Sequence, residues 1–322
     1  MPPPLCRPEA VATPANGAAA WARRGWATAR AAMEQGSGSD FLDEARIEWL
    51  WKPLRTVVRS VDWGRLLRGI YWRGVRNALD VRLERLDFAF ESLPAAFDGY
   101  TILHITDPHF DKLEETAGRI IALIEGLEAD ACALTGDYGD MRPGQAERVL
   151  APLGDVVSAV TARDGVFAVL GNHDSMKLVE PFERLGVRVL VNETVGLERA
   201  GARIHVTGLD DVHYFYTDDA REALFSAPDG FRIALVHSPE IADVAAAAGV
   251  DFYLAGHTHG GQVCLPGGRP IVTNLRRNRA FAAGLWRCGD MVGYTSAGAG
   301  VSILPVRFNT RGEVTLITLR RA

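Results

Sequence analysis

From residue 81 onward the hydrophobic positions fall into two rhythms. In VRLERLDFAF (81–90) apolar and polar residues alternate with the period of a strand that buries one face. TILHIT (101–106), ACALTG (131–136) and GVFAVLG (165–171) are short, nearly continuous apolar runs, as in strands covered on both faces. Between them, 112–129 and 143–162 space their apolar residues three or four apart, which predicts helices. This alternation predicts an α/β layered core with its working loops at the carboxyl ends of the strands. After VRVLVN (187–192), TVGLER (194–199) and RIHVTGL (203–209) read as successive strands of a second sheet. FRIALVH (231–237), IADVAAAAG (241–249) and DFYLAG (251–256) repeat the strand-helix-strand unit. The remainder, including GDMVGYTSAG (289–298) and GEVTLITL (312–319), reads mainly as β.

The first 80 residues follow neither rhythm. Residues 1–40 are rich in Ala, Pro, Gly and Ser and read as a flexible tail, with room for a short helix through WARRGWATARAAME (21–34). Residues 41–80 are basic and rich in tryptophan. Between Arg46 and Arg76 lie eight Arg or Lys against two acids, Glu48 and Asp62, a local balance of 8 − 2 = +6, and six of the chain's seven tryptophans occur by position 72. Trp, Leu and Arg at helical spacing, interrupted by Pro53, make an amphipathic segment. Such a segment can lie on an anionic membrane with its arginines on lipid phosphates, or pack as a helix pair on the following domain or on a partner.

Charge and cysteines narrow the classes. A net charge of −5 over 322 residues gives no ground to expect nucleic acid as a partner. Cys6, Cys132, Cys264 and Cys288 form no CxxC pair, which supports neither a disulfide framework nor a structural zinc site and suits a cytoplasmic home. No apolar run approaches the roughly 20 residues that span a bilayer. Arg23-Arg24 is not followed by an apolar stretch, so export is not expected.

The chemistry gathers where the predicted strands end. ITDPHFD supplies Asp107 and His109, LTGDYGD supplies Asp137 and Asp140, and LGNHD supplies Asn172, His173 and Asp174. ALVHSPE adds His237, and LAGHTHGG adds His257 and His259, which strand alternation would point to one side while Gly256, Gly260 and Gly261 turn the chain. A lone HxH or DxH is weak, but five metal-capable clusters at five strand ends point to a metal centre.

DPH, GDYGD, GNHD, VHSPE and GHTH, in this order, resemble the calcineurin-like metallophosphoesterase superfamily, over roughly residues 81–322. The resemblance implies a four-layer αββα sandwich of two facing mixed β-sheets flanked by helices, with two divalent metals at the strand ends. It implies one metal on Asp107, His109, Asp137 and His259, and a second on Asp137, Asn172, His237 and His257, with Asp137 as the bridge. Mixed carboxylate, amide and imidazole ligands suit Mn best, with Fe, Zn or Mg as alternatives. Two such metals with their aspartates and a bridging hydroxide leave a net charge of about +1, which attracts phosphate, and the hydroxide is the implied nucleophile. His173 would face the phosphate, stabilising the transition state or protonating the leaving oxygen, and Asp174 would fix its tautomer. Asp140 is expected to support or pack beside the ligands. His104 and His205, inside strand patterns, are expected to be structural, whereas His213 could touch substrate.

GHTHGGQVCLPGG and the stretch from FAAGLW to the end resemble the bacterial, membrane-associated branch that includes UDP-2,3-diacylglucosamine pyrophosphatase-like proteins of lipid A synthesis. This implies hydrolysis of a phosphodiester or pyrophosphate bond in a phosphorylated, lipid-linked substrate, by a protein peripheral to the inner face of the cytoplasmic membrane. A general phosphodiesterase or phosphomonoesterase for soluble substrates and a non-catalytic membrane scaffold are the alternatives. Arg276, Arg277 and Arg279 are either exposed loop residues or contacts to a second phosphate.

Overall fold

The computed structural model describes residues 17–36, 63–139 and 146–322. Helices α1 (Gly17–Gly36) and α2 (Trp63–Ala78) come first. Strands β1 (Arg82–Phe90), β2 (Thr101–Ile105), β3 (Ala131–Leu134), β4 (Val166–Ala168) and β5 (Val187–Val189) belong to the first sheet. Helices α3 (Thr116–Ile124), α4 (Ala146–Ala159) and α5 (Val179–Arg184) connect its last four strands. The second sheet holds β6 (Glu193–Arg199), β7 (Ala202–Gly208), β8 (Phe231–Leu235), β9 (Phe252–Ala255), β10 (Gly284–Cys288) and β11 (Met291–Thr295). Helix α6 (Asp218–Phe225) precedes β8 and α7 (Ala242–Ala247) follows it, while β12 (Glu313–Arg321) returns to the first sheet.

Both sheets are mixed. The first has the order β1-β12-β2-β3-β4-β5, with β12 antiparallel to β2 and every other pair parallel. The second has the order β10-β11-β9-β8-β7-β6, parallel through its centre and antiparallel at each edge. The return of β12 between β1 and β2 is not legible in its alternation, because strand period carries no information about sheet order.

The sequence pattern explains the layering. Ala131–Leu134 and Phe252–Ala255 are buried at every residue, as strands covered on both sides require. Phe88, Phe90, Phe167, Phe231, Phe252 and Leu319 are among the side chains packed between the sheets. On the outer face of the first sheet, Ile120 and Ile124 of α3 meet Val149, Leu153 and Val156 of α4, both sets at helical spacing. Ala220 and Leu224 of α6 and Ala242 and Ala245 of α7 cover the other sheet. The result is the expected αββα sandwich.

The amino-terminal region departs from expectation. Half of 1–40 lies outside the described residues; α1 contains the helix expected through 21–34, but it is not part of a loose tail, since Trp26 and Arg30 are buried against the sandwich. Arg23, Trp26, Arg30 and Glu34, spaced three and four apart on one helix face, all bond to it. The 41–62 part of the basic segment lies outside the described residues. Its remainder is in α2, which packs Gly74, Val75 and Ala78 inward while Ile70, Tyr71 and Trp72 stay exposed. A Cβ at Gly74 would collide with Val306 and Phe308, so glycine sets how closely α2 approaches.

Candidate metal centre

Every carboxylate and imidazole of the implied centre leaves the end of a central strand. Asp107 and His109 follow β2, Asp137 follows β3, Asn172 follows β4, His237 follows β8, and His257 and His259 follow β9. These are neighbouring parallel strands of the two sheets, so their carboxyl ends converge on one rim. Asp107, His109, Asp137, His257 and His259 all adopt positive φ, between 39° and 73°. Non-glycine residues pay for that conformation, on the order of 1–3 kcal/mol each, and its clustering here marks a site where geometry is held against local preference. His257 and His259 are therefore not aimed by strand alternation. Two left-handed residues aim them, and they serve different halves of the site.

In one half, His109 Nε2 lies 3.5 Å from Asp137 Oδ2, and His259 Nε2 lies 3.6 Å from Asp107 Oδ1. In the other, His237 Nε2 lies 3.2 Å from Asp137 Oδ2 and 3.1 Å from Asn172 Oδ1, while His257 Nδ1 is 2.8 Å from the same amide oxygen. The groups Asp107-His109-Asp137-His259 and Asp137-His237-His257 each have the proximity and burial to hold a cation, and Asp137 belongs to both. With ligand bonds of roughly 2.0–2.2 Å, donors around one cation lie about 3–3.5 Å apart, so these separations fit. Both ring nitrogens of His109 and of His259 are buried without a hydrogen-bond partner. An unsatisfied buried donor or acceptor costs roughly 1–3 kcal/mol, and a cation would satisfy the one lone pair that each neutral ring carries.

Proton equilibria agree with the donor set. Burial first, then the charges of His237 and His109 respectively, hold His257 and His259 well below the ordinary imidazole range, so both present lone pairs. His237 behaves oppositely: burial opposes its charge, but the Asp137 carboxylate more than reverses this and raises it to about 10. In the metal-free protein a proton on His237 thus stands where a cation would. Its Nδ1 faces the Thr135 carbonyl at 2.8 Å, which directs Nε2 at Asp137 and Asn172.

Close backbone approach holds the carboxylates. A Cβ at Gly256 would overlap Asp107 Oδ2 and Thr106 Oγ1, and one at Gly171 would overlap Asp137 Oδ1. Thr106 Oγ1 donates to Asp107 Oδ2 at 2.7 Å, and the His257 amide donates to the same carboxylate at 3.0 Å.

The remaining expected residues separate by role. His173 is half-buried, with its ring 5.3 Å from that of His109, at the mouth of the first half. Asp174 corrects the expectation that it sets the His173 tautomer: its carboxylate accepts the backbone N–H groups of Asp137, Tyr138 and Gly171 at 2.7, 2.9 and 2.7 Å. It braces the two loops that carry Asp137 and Asn172. Asp140 lies outside the described residues. His104 is buried with Nε2 2.8 Å from Thr135 Oγ1, burial lowers it to about 3, and its role is structural. His205 lies within β7, likewise away from the cluster. His213 is buried at the rim, its Nδ1 2.7 Å from Glu240 Oε2 and its ring 4.6 Å from His257. Arg276, Arg277 and Arg279 are exposed; Arg277 pairs with Asp243 at 2.8 Å, and Arg276 lies over Tyr214. Cys132, Cys264 and Cys288 are free thiols.

Two buried arginines escaped the sequence reading. Arg307 donates to the carbonyls of His259, Ala297, Gly298 and Gly300 at 3.0, 2.6, 3.1 and 2.7 Å, pinning the last ligand loop. Arg30 of α1 reaches the Asn172 loop. Neither stands in a strand-end cluster; the sequence sign of Arg30 is its helical spacing from Trp26 and Glu34.

Comparison with known proteins gives the same reading. Residues 100–261 match the family model for calcineurin-like phosphoesterase. The uncharacterized metallophosphoesterase YkuE of Bacillus subtilis (strain 168) is 30% identical, covering 71% of this chain and 82% of that protein. The uncharacterized metallophosphoesterase YkoQ of the same organism is 28% identical over 76% of this chain and 92% of its own length. Phosphodiesterase YaeI of Escherichia coli (strain K12) is 28% identical, covering 68% and 82%. With a buried Asp/His cluster at the strand ends and a matched domain that contains it, the chain belongs to the calcineurin-like phosphoesterase family and is a metal-dependent phosphoester hydrolase.

Proposed function

We propose that the chain cleaves a phosphodiester or pyrophosphate bond in a lipid-linked substrate, such as UDP-2,3-diacylglucosamine, while peripherally bound to the inner face of the cytoplasmic membrane. Asp107, His109, Asp137 and His259 would hold one divalent cation and Asp137, Asn172, His237 and His257 the other, with manganese the best match to this donor set. Such cations supply Lewis acidity toward phosphoryl oxygens and an activated water at neutral pH. The chain's own residues do the rest. Asp137 and Asp174 fix the spacing of the two halves, and His173 stands at the mouth, where it can donate a hydrogen bond to the phosphate or a proton to the leaving oxygen.

The observation that carries the membrane part is the exposed edge of α2. Ile70, Tyr71 and Trp72 are 44%, 42% and 58% exposed, beside the exposed Arg68, Arg73 and Arg76. Adjacent aromatic, aliphatic and basic side chains suit the headgroup region of an anionic bilayer. The inner edge of α2 rests on Val306 and Phe308, and Phe308 pairs with Val263, four residues beyond His259. Leu265, Ile271, Val272 and Ile303, also exposed, lie on the loops on either side of that pairing. An acyl-chain substrate would thus be met close to the metal centre. Among the described residues no helix is long and apolar enough to cross a membrane. A panel of UDP-diacylglucosamine, nucleotide esters and phospholipids, assayed with manganese, tests the substrate; preference for a soluble nucleotide ester would refute the lipid-linked reading.

A further inference from the structure

We propose that Arg30 is a positioning residue for the phosphoester-hydrolysing centre: its guanidinium ties the loop bearing Asn172 and His173 to the loop at 209–214 on the opposite sheet, making α1 a working part of the site. The proposal rests on the reading of the centre given above.

Arg30 is fully buried, an expensive place for a cation unless every polar contact is met. All three guanidinium nitrogens are bonded, from three directions. Nη1 donates to Asp210 Oδ1 at 2.6 Å, Nε donates to Glu34 Oε1 at 3.1 Å, and Nη2 donates to the carbonyls of Asp174 at 2.7 Å and Gly171 at 3.3 Å. The guanidinium carbon lies 3.4 Å from the centroid of the Phe215 ring, so the plane of the fork is fixed as well. With its charge matched by Asp210 and Glu34 and no access to solvent, Arg30 does not bind phosphate. Its contacts act on the loops.

Gly171 and Asp174 are the residues that flank Asn172 and His173. The Asp174 side chain holds this loop from within, through the amides of Asp137, Tyr138 and Gly171, and Arg30 holds the two flanking carbonyls from outside. Glu34 continues the clamp, accepting the Ser175 hydroxyl and the Met176 amide at 2.8 Å each. On the other side, Asp210 accepts the Trp26 indole N–H at 2.6 Å through Oδ2, and the Asp211 amide at 2.8 Å through Oδ1. Asp211 in turn accepts the amides of His213 and Tyr214. One guanidinium therefore orders the loop of Asn172 and the loop of His213, whose ring packs on His257. Asn172 and His257 serve the same half of the centre, with 2.8 Å between their donor atoms. Displacements of about 1 Å in such a constellation cost large factors in rate.

A lysine offers one point charge and cannot span Asp210 and two carbonyls. In the full-length protein we expect Arg30→Lys to remain folded by circular dichroism. With manganese and bis(p-nitrophenyl) phosphate, its kcat should fall about tenfold or more while KM moves less than about threefold, in the range typical of groups that orient metal ligands. Amide hydrogen exchange on the metal-free protein should quicken in 170–176 and 209–214 but not in the central strands. Millimolar guanidinium should restore part of the kcat of Arg30→Ala. If the Arg30 variants do not fold, Trp26→Phe, which removes one bond to Asp210 and keeps a smaller aromatic ring in place, should show the same localised exchange to a smaller degree. Wild-type kcat with wild-type exchange in both loops would overturn the proposal. So would a loss that follows global unfolding, with exchange rising evenly and no guanidinium rescue, or unchanged loop exchange in Trp26→Phe. A wild type that cleaves no ester would defeat the hydrolase reading alone, since the exchange result stands on metal-free protein.

Discussion

At the scale of single residues, the centre is a competition between protons and cations for the same lone pairs. His237 is raised to about 10 by Asp137, so at neutral pH it carries a proton in the metal-free protein. A cation must displace that proton, and metal binding must release it. Affinity for manganese should therefore rise with pH across the neutral range and level off only near pH 10. Calorimetric titrations at several pH values, in buffers of differing ionisation enthalpy, would measure both the slope and the proton released; a pH-independent affinity would show that Asp137 does not face a protonated His237. The residues with donor atoms in the centre were legible because each sits in a short strand-end motif. Asp174 was legible as a member of the site but not in its role. A sequence cannot show that a carboxylate beside a histidine faces three backbone amides instead.

At the scale of elements, the site depends on loops with strained or glycine-dependent backbones. Strands and helices were readable from their periods, whereas the left-handed residues at Asp107, His109, Asp137, His257 and His259 were not, because aspartate and histidine, though enriched at positive φ, still adopt negative φ at most positions. Gly256 makes the consequence testable. Gly256→Ala places a methyl against Asp107 Oδ2 and Thr106 Oγ1. We expect this variant to keep its fold while losing most of its bound divalent metal and at least about tenfold of its turnover, as when support of a ligand is removed. Metal analysis alongside circular dichroism would check this, and full occupancy with full activity would mean that the Asp107 loop tolerates displacement. Helix α1 teaches the complementary lesson. Its alanine- and glycine-rich composition reads as a tail, yet Arg23, Trp26, Arg30 and Glu34 fall on one face and dock it.

At the scale of the whole molecule, two sheets converge their strand ends on one rim, and α2 presents an aromatic and basic edge beside the same region. If that edge meets lipid, Trp72→Ser combined with Tyr71→Ser should weaken binding to phosphatidylglycerol vesicles by about thirtyfold or more, since two buried aromatics at on the order of 1 kcal/mol or more each contribute about 2 kcal/mol at an interface. Hydrolysis of bis(p-nitrophenyl) phosphate should be unchanged. Equal vesicle binding by the double variant and the wild type would remove α2 from the membrane account. The two-sheet architecture was legible from the succession of strands, but the insertion of β12 between β1 and β2 was not, since it depends on long-range pairing. The most direct test of the account is metal content and turnover measured together on the wild type and on Asp137→Asn, a change that keeps size and tolerates the left-handed backbone. The wild type should hold two divalent cations per chain and hydrolyse bis(p-nitrophenyl) phosphate. Asp137→Asn should fall below two cations and lose turnover well beyond the roughly 10–100-fold expected for a supporting residue. Two cations and near-normal turnover in that variant would contradict a centre built around Asp137.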